Sequence, residues 1–311
     1  MIYSRLSSIA RRTSLSVIVG IALATTLAAC STSVSSGAPA PTATSRSFGH
    51  IHGVGVDGTT GAVYIATHEG LYRVPSLRSE PLEFSALGGP VAGLHQDTMG
   101  FVINNGRMYA SGHPAPEATS TEKSLGLITS ADHGSTWRSL SLQGRTDFHD
   151  LEISHDAAGG VIVYGFDSGT SAVEVSRDGG ATWATGATIA LRDLTADPGI
   201  EGTIYATTVD GVMVSRDFGT TFSVLTDAPS LYLIDAMSGS TEGNLIGVDV
   251  SGSIWTKSTG RPWRVTGAVQ GRAEAMVFSA KPQPVLVVAD GGGLVVSSDL
   301  GATWKIVASL K

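Results

Sequence analysis

One eight-residue pattern recurs along the chain in fixed register, and it constrains the fold more than any other feature. It reads Ser130-Ala-Asp132-His-Gly134-Ser-Thr136-Trp137, Ser176-Arg-Asp178-Gly-Gly180-Ala-Thr182-Trp183, Ser215-Arg-Asp217-Phe-Gly219-Thr-Thr221-Phe222 and Ser297-Ser-Asp299-Leu-Gly301-Ala-Thr303-Trp304. A fifth copy, Thr256-Lys-Ser258-Thr-Gly260-Arg-Pro-Trp263, keeps the glycine and tryptophan but loses the aspartate. The starts, at residues 130, 176, 215, 256 and 297, lie about 41 residues apart. Such a pattern suits a tight hairpin: the aspartate bonds amides of its own turn, the glycine takes a backbone conformation closed to other residues, and the aromatic packs back between sheets. Around each copy sit four short apolar runs separated by glycine or aspartate turns. In the third unit these are residues 148–154, 161–166, 172–176 and 182–184. That reads as a four-stranded meander. Glycine supplies 39 of 311 residues, which weighs against a helical bundle, because each one inside a helix costs about 1 kcal/mol.

The motif resembles the Asp-box, or BNR, repeat of sialidases and related β-propellers. The resemblance implies an all-β, six-bladed β-propeller of four-stranded antiparallel blades, and the spacing divides residues 48–311 into units 48–90, 91–144, 145–188, 189–228, 229–268 and 269–311. A single blade cannot bury both its faces, so the six must stack about an axis. The first unit has no motif, but runs at 52–57, 62–67, 70–74 and 82–86 provide four expected strands there too.

The N-terminus reads as an address. Arg5, Arg11 and Arg12 precede an apolar run from Leu15 to Ala29, which ends Leu27-Ala28-Ala29-Cys30 at the chain's single cysteine. This resembles a bacterial lipoprotein signal (residues 1–29) cleaved before a lipidated Cys30, with residues 30–47 as a flexible Ser/Thr/Pro/Ala tether. The expected product is a monomer held on the extracytoplasmic face of the cell membrane through acyl chains. Of 20 basic residues the leader takes three, leaving 17 against 27 acidic residues, a net charge of −10. With no basic block beyond the leader, nucleic acid is not an expected partner.

Chemistry is expected at the channel mouth, where the innermost (A) strand of each blade starts and the B–C loops gather. His50, His52 and His149 fall at A-strand starts, and His68 and His113 at B–C loops, so these five are candidate ligands for zinc or copper. Asp150, Asp193, Asp235 and Glu274 are expected to share one position, one residue beyond the His52/His149 level, as a ring of carboxylates. The sialidase resemblance implies an alternative: Arg145, Arg192 and Arg272 as a carboxylate clamp, with Tyr232 and the four acids as candidate catalytic groups of an exo-acting glycoside hydrolase. The family's first-strand Arg-Ile-Pro motif is not reproduced, since Tyr72-Arg73-Val74-Pro75 falls on a C strand. A third reading is a protein-binding scaffold or assembly factor. The expected ligand is thus a metal ion, a small molecule or a glycan, and the long B–C loop of blade 2, residues 111–123, is a candidate recognition insertion.

Overall fold

The repeated turn folds as its residues dictate. Ser130 Oγ accepts the Gly134 N–H at 2.9 Å and donates to Asp132 Oδ1 at 2.8 Å. Asp132 then accepts the Thr136 N–H at 2.9 Å and the Thr136 hydroxyl at 2.6 Å. The same set recurs at Ser176/Asp178/Thr182, Ser215/Asp217/Thr221 and Ser297/Asp299/Thr303. In the fifth turn, where Ser258 replaces the aspartate, buried Thr256 Oγ1 has no hydrogen-bond partner among the described residues. Threonine and tryptophan belong to the turn itself, so the fourth strands begin later than the sequence pattern predicts, at Ala184 and Lys305 in blades 3 and 6.

The computed structural model describes residues 48–77, 80–237 and 243–310. The chain divides into two units, residues 1–44 and 45–311. The first, with the leader, Cys30 and most of the tether, lies outside the described residues. The second is all-β and forms a six-bladed β-propeller, with each blade a meander of consecutive antiparallel strands. The A strands are Ile51–Val56, Asp97–Asn104, Phe148–His155, Leu191–Ala196, Leu231–Ala236 and Ala275–Ser279, and they pack in a closed ring.

Six apolar clusters fill the six seams between blades. Turn aromatics seal five of them: Trp137 between blades 1 and 2, Trp183 between 2 and 3, Phe222 between 3 and 4, Trp263 between 4 and 5, and Trp304 between 5 and 6. The closing seam has no such turn, because blade 1 carries no motif. There Phe48, 2% exposed, packs edge-on against Tyr72 and Phe84 at centroid separations of 4.5 and 4.7 Å.

Blade 1 corrects the expected strand count. It has three strands, and residues 84–87 form a single 3₁₀ turn in place of a fourth. Leu82 instead crosses to blade 6, where its N–H donates to Val307 O at 3.0 Å and its carbonyl accepts the Ser309 N–H at 2.7 Å. Pro81 just before it has no N–H to give a ladder, so a short bridge replaces an edge strand and ties the first blade to the last.

Two fourth-strand glycines let neighbouring blades touch backbone to backbone. A Cβ on Gly186 would come within 2.4 Å of Gly219 O, and one on Gly267 within 1.7 Å of Gly301 O. Gly267→Ala is therefore expected to destabilise the propeller by about 1–3 kcal/mol. Gly89→Ala, with nothing within 4 Å, should leave the thermal midpoint unchanged; equal midpoints for the two variants in a melting experiment would refute the seam argument.

Candidate metal centre and channel

A register slip at the same place in four of the blades decides which side chains reach the channel mouth. A–B pairing skips one residue between Ile51 and Gly53, Phe148 and Asp150, Leu191 and Asp193, and Leu231 and Leu233. The skipped residues are His52, His149, Arg192 and Tyr232. In blade 6 Ala275 pairs with Ala289 while the Glu274 N–H also donates to Ala289 O at 2.8 Å, which puts Glu274 in the equivalent place. A bulge of this kind re-aims one side chain without disturbing the strand beyond it. His52, His149, Arg192 and Glu274 line the mouth of a central cavity of about 290 Å³.

This register corrects the expected ring of four carboxylates. Asp150 and Asp193 do share a level, pairing with Phe166 and Thr207 after the bulge. Glu274 sits one residue nearer the mouth, at the histidine level, and Asp235 lies two residues deeper, matching Glu152. Blades 3, 4 and 5 share the bulge, so these offsets come from where the A strands of blades 5 and 6 begin, which motif spacing does not fix.

On one side of the mouth the five candidate histidines join a continuous chain with two aspartates. His50 Nδ1 lies 3.3 Å from His52 Nδ1, and His52 Nε2 lies 3.3 Å from His68 Nδ1. His68 Nδ1 meets Asp97 Oδ1 at 2.9 Å, and His113 Nδ1 meets Asp97 Oδ2 at 3.2 Å. His113 Nε2 lies 3.5 Å from Asp147 Oδ2, to which His149 Nε2 donates at 2.9 Å. Asp97 and Asp147 escaped the sequence reading. Asp147 stands two residues before His149 as His50 stands before His52, so the internal repeat carried that signal; Asp97 opens the A strand of blade 2.

One ring nitrogen each from His50, His52 and His68 can be chosen so that all three lie within 4.8 Å of one another. A tetrahedral ion with bonds of ~2.0–2.1 Å holds its nitrogens ~3.4 Å apart, which small rotations of exposed His50 and His68 can supply. His52, whose side chain is 9% exposed, has its pKa pushed down to about 3 by burial, reinforced by the charges of His68, His50, His149 and Arg192. The His50 pKa is also lowered, again chiefly by burial, with Glu274 opposing and Arg192 adding to the effect. Both therefore present neutral imidazoles, the form that binds metal. Asp97 beside His68 occupies the place of an outer carboxylate that orients a ligating imidazole.

The opposite side of the mouth carries the arginines. The Arg192 and Arg272 guanidiniums lie 4.7 and 4.4 Å from the Tyr232 ring centroid. Arg272 donates to the Tyr232 hydroxyl, and Arg192 donates to Glu274 O at 3.1 Å. Burial alone would raise the Tyr232 pKa, but hydrogen bonds from both arginines bring it below the usual phenol range. Arg145 and Arg272 are both exposed and neither lines the cavity, but only Arg272 shares the Tyr232 ring with Arg192. The structure thus brings two arginines of the expected three-membered clamp together and leaves the third outside.

Deeper in the channel the carboxylates clamp one blade to the next. Asp150 accepts the Leu194 N–H at 2.7 Å, Asp193 the Ile234 N–H at 2.6 Å, and Asp235 the Phe278 N–H at 2.5 Å. Surrounded by protein yet facing the channel, these acids are costly to ionise. Desolvation pushes Asp193 and Asp235 up to about 7, and desolvation with mutual repulsion holds Asp150 and Glu152 well above the carboxylate range. The group titrates together rather than residue by residue.

No family profile and no curated protein matches the sequence. The chain is similar to several solved structures. A chain of the nidogen–laminin complex matches with a TM-score of 0.52 at 16% identity, over 77% of this chain and 89% of that one. YCF48 bound to D1 peptide matches at 0.48 and 14%, over 83% and 81%. A GH74 enzyme of Niastella koreensis matches at 0.47 and 18%, over 79% of this chain and 42% of that one, so the chain spans less than half the enzyme's length. Likeness at these identities concerns the fold alone.

The channel acids and the turn acids predict opposite pH responses. Raised folded-state pKa values mean that the native protein keeps protons the unfolded chain has lost, so stability falls as pH rises from about 4 to about 7. The turn carboxylates Asp132, Asp178 and Asp299, held at about 2 by hydrogen bonds from the turn threonines, lose their contribution only as pH falls below about 4. Melting temperature is expected to rise as pH is lowered from 8 to about 6, below which protonation of His50 and His52 in the unfolded chain works against it, and Asp193→Asn with Asp235→Asn should flatten the rise. A slope unchanged in the double variant would contradict the assignment.

Proposed function

We propose that this chain is a membrane-anchored extracytoplasmic β-propeller whose channel mouth binds a zinc or copper ion through His50, His52 and His68. The single observation that carries the reading is the meeting of these three imidazoles beside the outer carboxylate Asp97. Three such ligands are what a site with one exchangeable position needs. In the same reading the repeated turns are Asp-boxes, and Leu27-Ala28-Ala29-Cys30 is a lipobox that places the domain outside the membrane on a diacylated cysteine.

A glycoside hydrolase draws less support from the geometry. Asp150, Asp193 and Asp235 each devote a carboxylate oxygen to a backbone N–H of the next blade, which suits clamps better than acid–base catalysts. Arg145 stands apart from Arg192 and Arg272. A protein-binding scaffold would use a different surface and leave the buried His52 imidazole without a role.

Metal titration of the full chain tests the site. Zinc or copper is expected to bind at one ion per chain, with affinity lost in His52→Ala and lowered about 10–100-fold in Asp97→Asn. No stoichiometric binding, or binding indifferent to His52→Ala, would overturn the reading. The anchor has its own test: Cys30→Ser should move the protein from the membrane to the soluble fraction, and a variant that stays membrane-bound would refute lipidation at that residue.

A further inference from the structure

We propose that the ion held by His50, His52 and His68 is bound together with a small oxyanion, a carboxylate or phosphate group, which Arg192 and Arg272 receive across the channel mouth. The inference rests on the metal reading above and names what completes it. Three imidazoles leave one position of a tetrahedral ion open, and Arg192 lines the same channel mouth as His52.

Arg192 and Arg272 are two guanidiniums gathered on one phenol ring, and neither has a carboxylate within ion-pair distance among the described residues. Their hydrogen bonds go to a backbone carbonyl and a phenol. Tyr232 holds both guanidiniums by its ring and hydroxyl, fixing two long side chains that would otherwise be mobile. Arg192 lines the same cavity as His52, and the Glu274 whose backbone carbonyl accepts its N–H also meets Ile51, the residue between His50 and His52. The Glu274 carboxylate already accepts the Ile51 N–H at 3.3 Å.

A divalent ion added to this mouth would leave a surplus of positive charge in a partly desolvated site, and Coulomb energy there favours an incoming anion. Guanidinium is the group best shaped to take an oxyanion through paired N–H donors. An anion spanning metal and arginines would be recognised at two points, which neither half achieves alone. The ligand class is therefore a small carboxylate or phosphate bound as a metal–anion pair rather than a bare ion.

The test uses the full chain loaded with Cu(II), whose visible absorption and electron paramagnetic resonance report on the open position. Acetate in one arm and inorganic phosphate in the other should give a saturable spectral shift, and the tighter arm identifies the oxyanion. Arg272→Leu, an exposed substitution, is expected to weaken that anion at least about tenfold. Arg192→Leu added to it should weaken the anion further, Arg272→Lys should restore only part, and Arg145→Leu should change nothing. Copper that binds but responds to neither anion, or responds equally in the Arg272 variants, sinks this inference and leaves the metal site standing. Failure of copper to bind at all brings down the metal reading and this inference with it.

Discussion

The seam between neighbouring blades is the interaction on which the rest of this molecule depends. A four-stranded meander of this size buries too little to stand alone, so stability must be assembled from six contacts that each join two blades. The repeated turn serves this end with both of its halves. Its serine and aspartate settle the local backbone through four hydrogen bonds, and its aromatic, thereby aimed, enters the apolar cluster shared with the preceding blade. Burying one such aromatic contributes roughly 1.5–3 kcal/mol, yet the ring cannot reach the seam unless the turn holds it there. In blade 1 the motif is missing, and the closing seam is sealed instead by Phe48, Tyr72 and Phe84 together with the Leu82 bridge to blade 6.

Blade count, strand order and the sorting of histidines onto one face were all legible in the sequence, because each follows from spacing. What spacing cannot express is a bulge. The slip between Phe148 and Asp150 moves every later residue of that strand by one place relative to its partner, and it is what turns His149 to the mouth. Asp235 and Glu274 were misplaced for another reason: blades 3 to 5 share the slip, and the connections into the A strands of blades 5 and 6 set those strands off the motif count, in opposite directions. The fourth strand expected at 82–86 failed for a different reason: Leu82 and Phe84 do pack against the core of the closing seam, but the backbone partners of Leu82 lie in blade 6 rather than in blade 1. Asp97 and Asp147 were missed because an aspartate at a strand start is common, and only the histidines meeting it in space make it a partner.

Two populations of carboxylate share the domain under opposite electrostatics. The turn aspartates stand in solvent and accept several donors each, so the ionised form is favoured and the turn tightens when charged. The channel acids each have a single strong backbone donor and repel one another, so the neutral form is favoured. The same residue type thus acts as an anion on the rim and as an acid near neutrality along the axis. Proteins that line a narrow channel in this way gain inter-blade hydrogen bonds at the cost of ionisation.

The mouth inherits its versatility from the bulge itself. Residues on either side of the skipped position are committed to packing: Ile51, Phe148 and Leu231 before it, and Val54, Leu151, Leu194 and Ile234 two places after it, are all buried. The skipped residue alone turns toward the channel without a neighbouring seam to fill. Its identity can therefore change from blade to blade at little cost in stability, and it does: histidine in blades 1 and 3, arginine in 4, tyrosine in 5, glutamate in 6. A fold that repeats its scaffold so strictly leaves this position over for chemistry in five blades, and here those positions set two blades of imidazole against three of guanidinium, phenol and carboxylate.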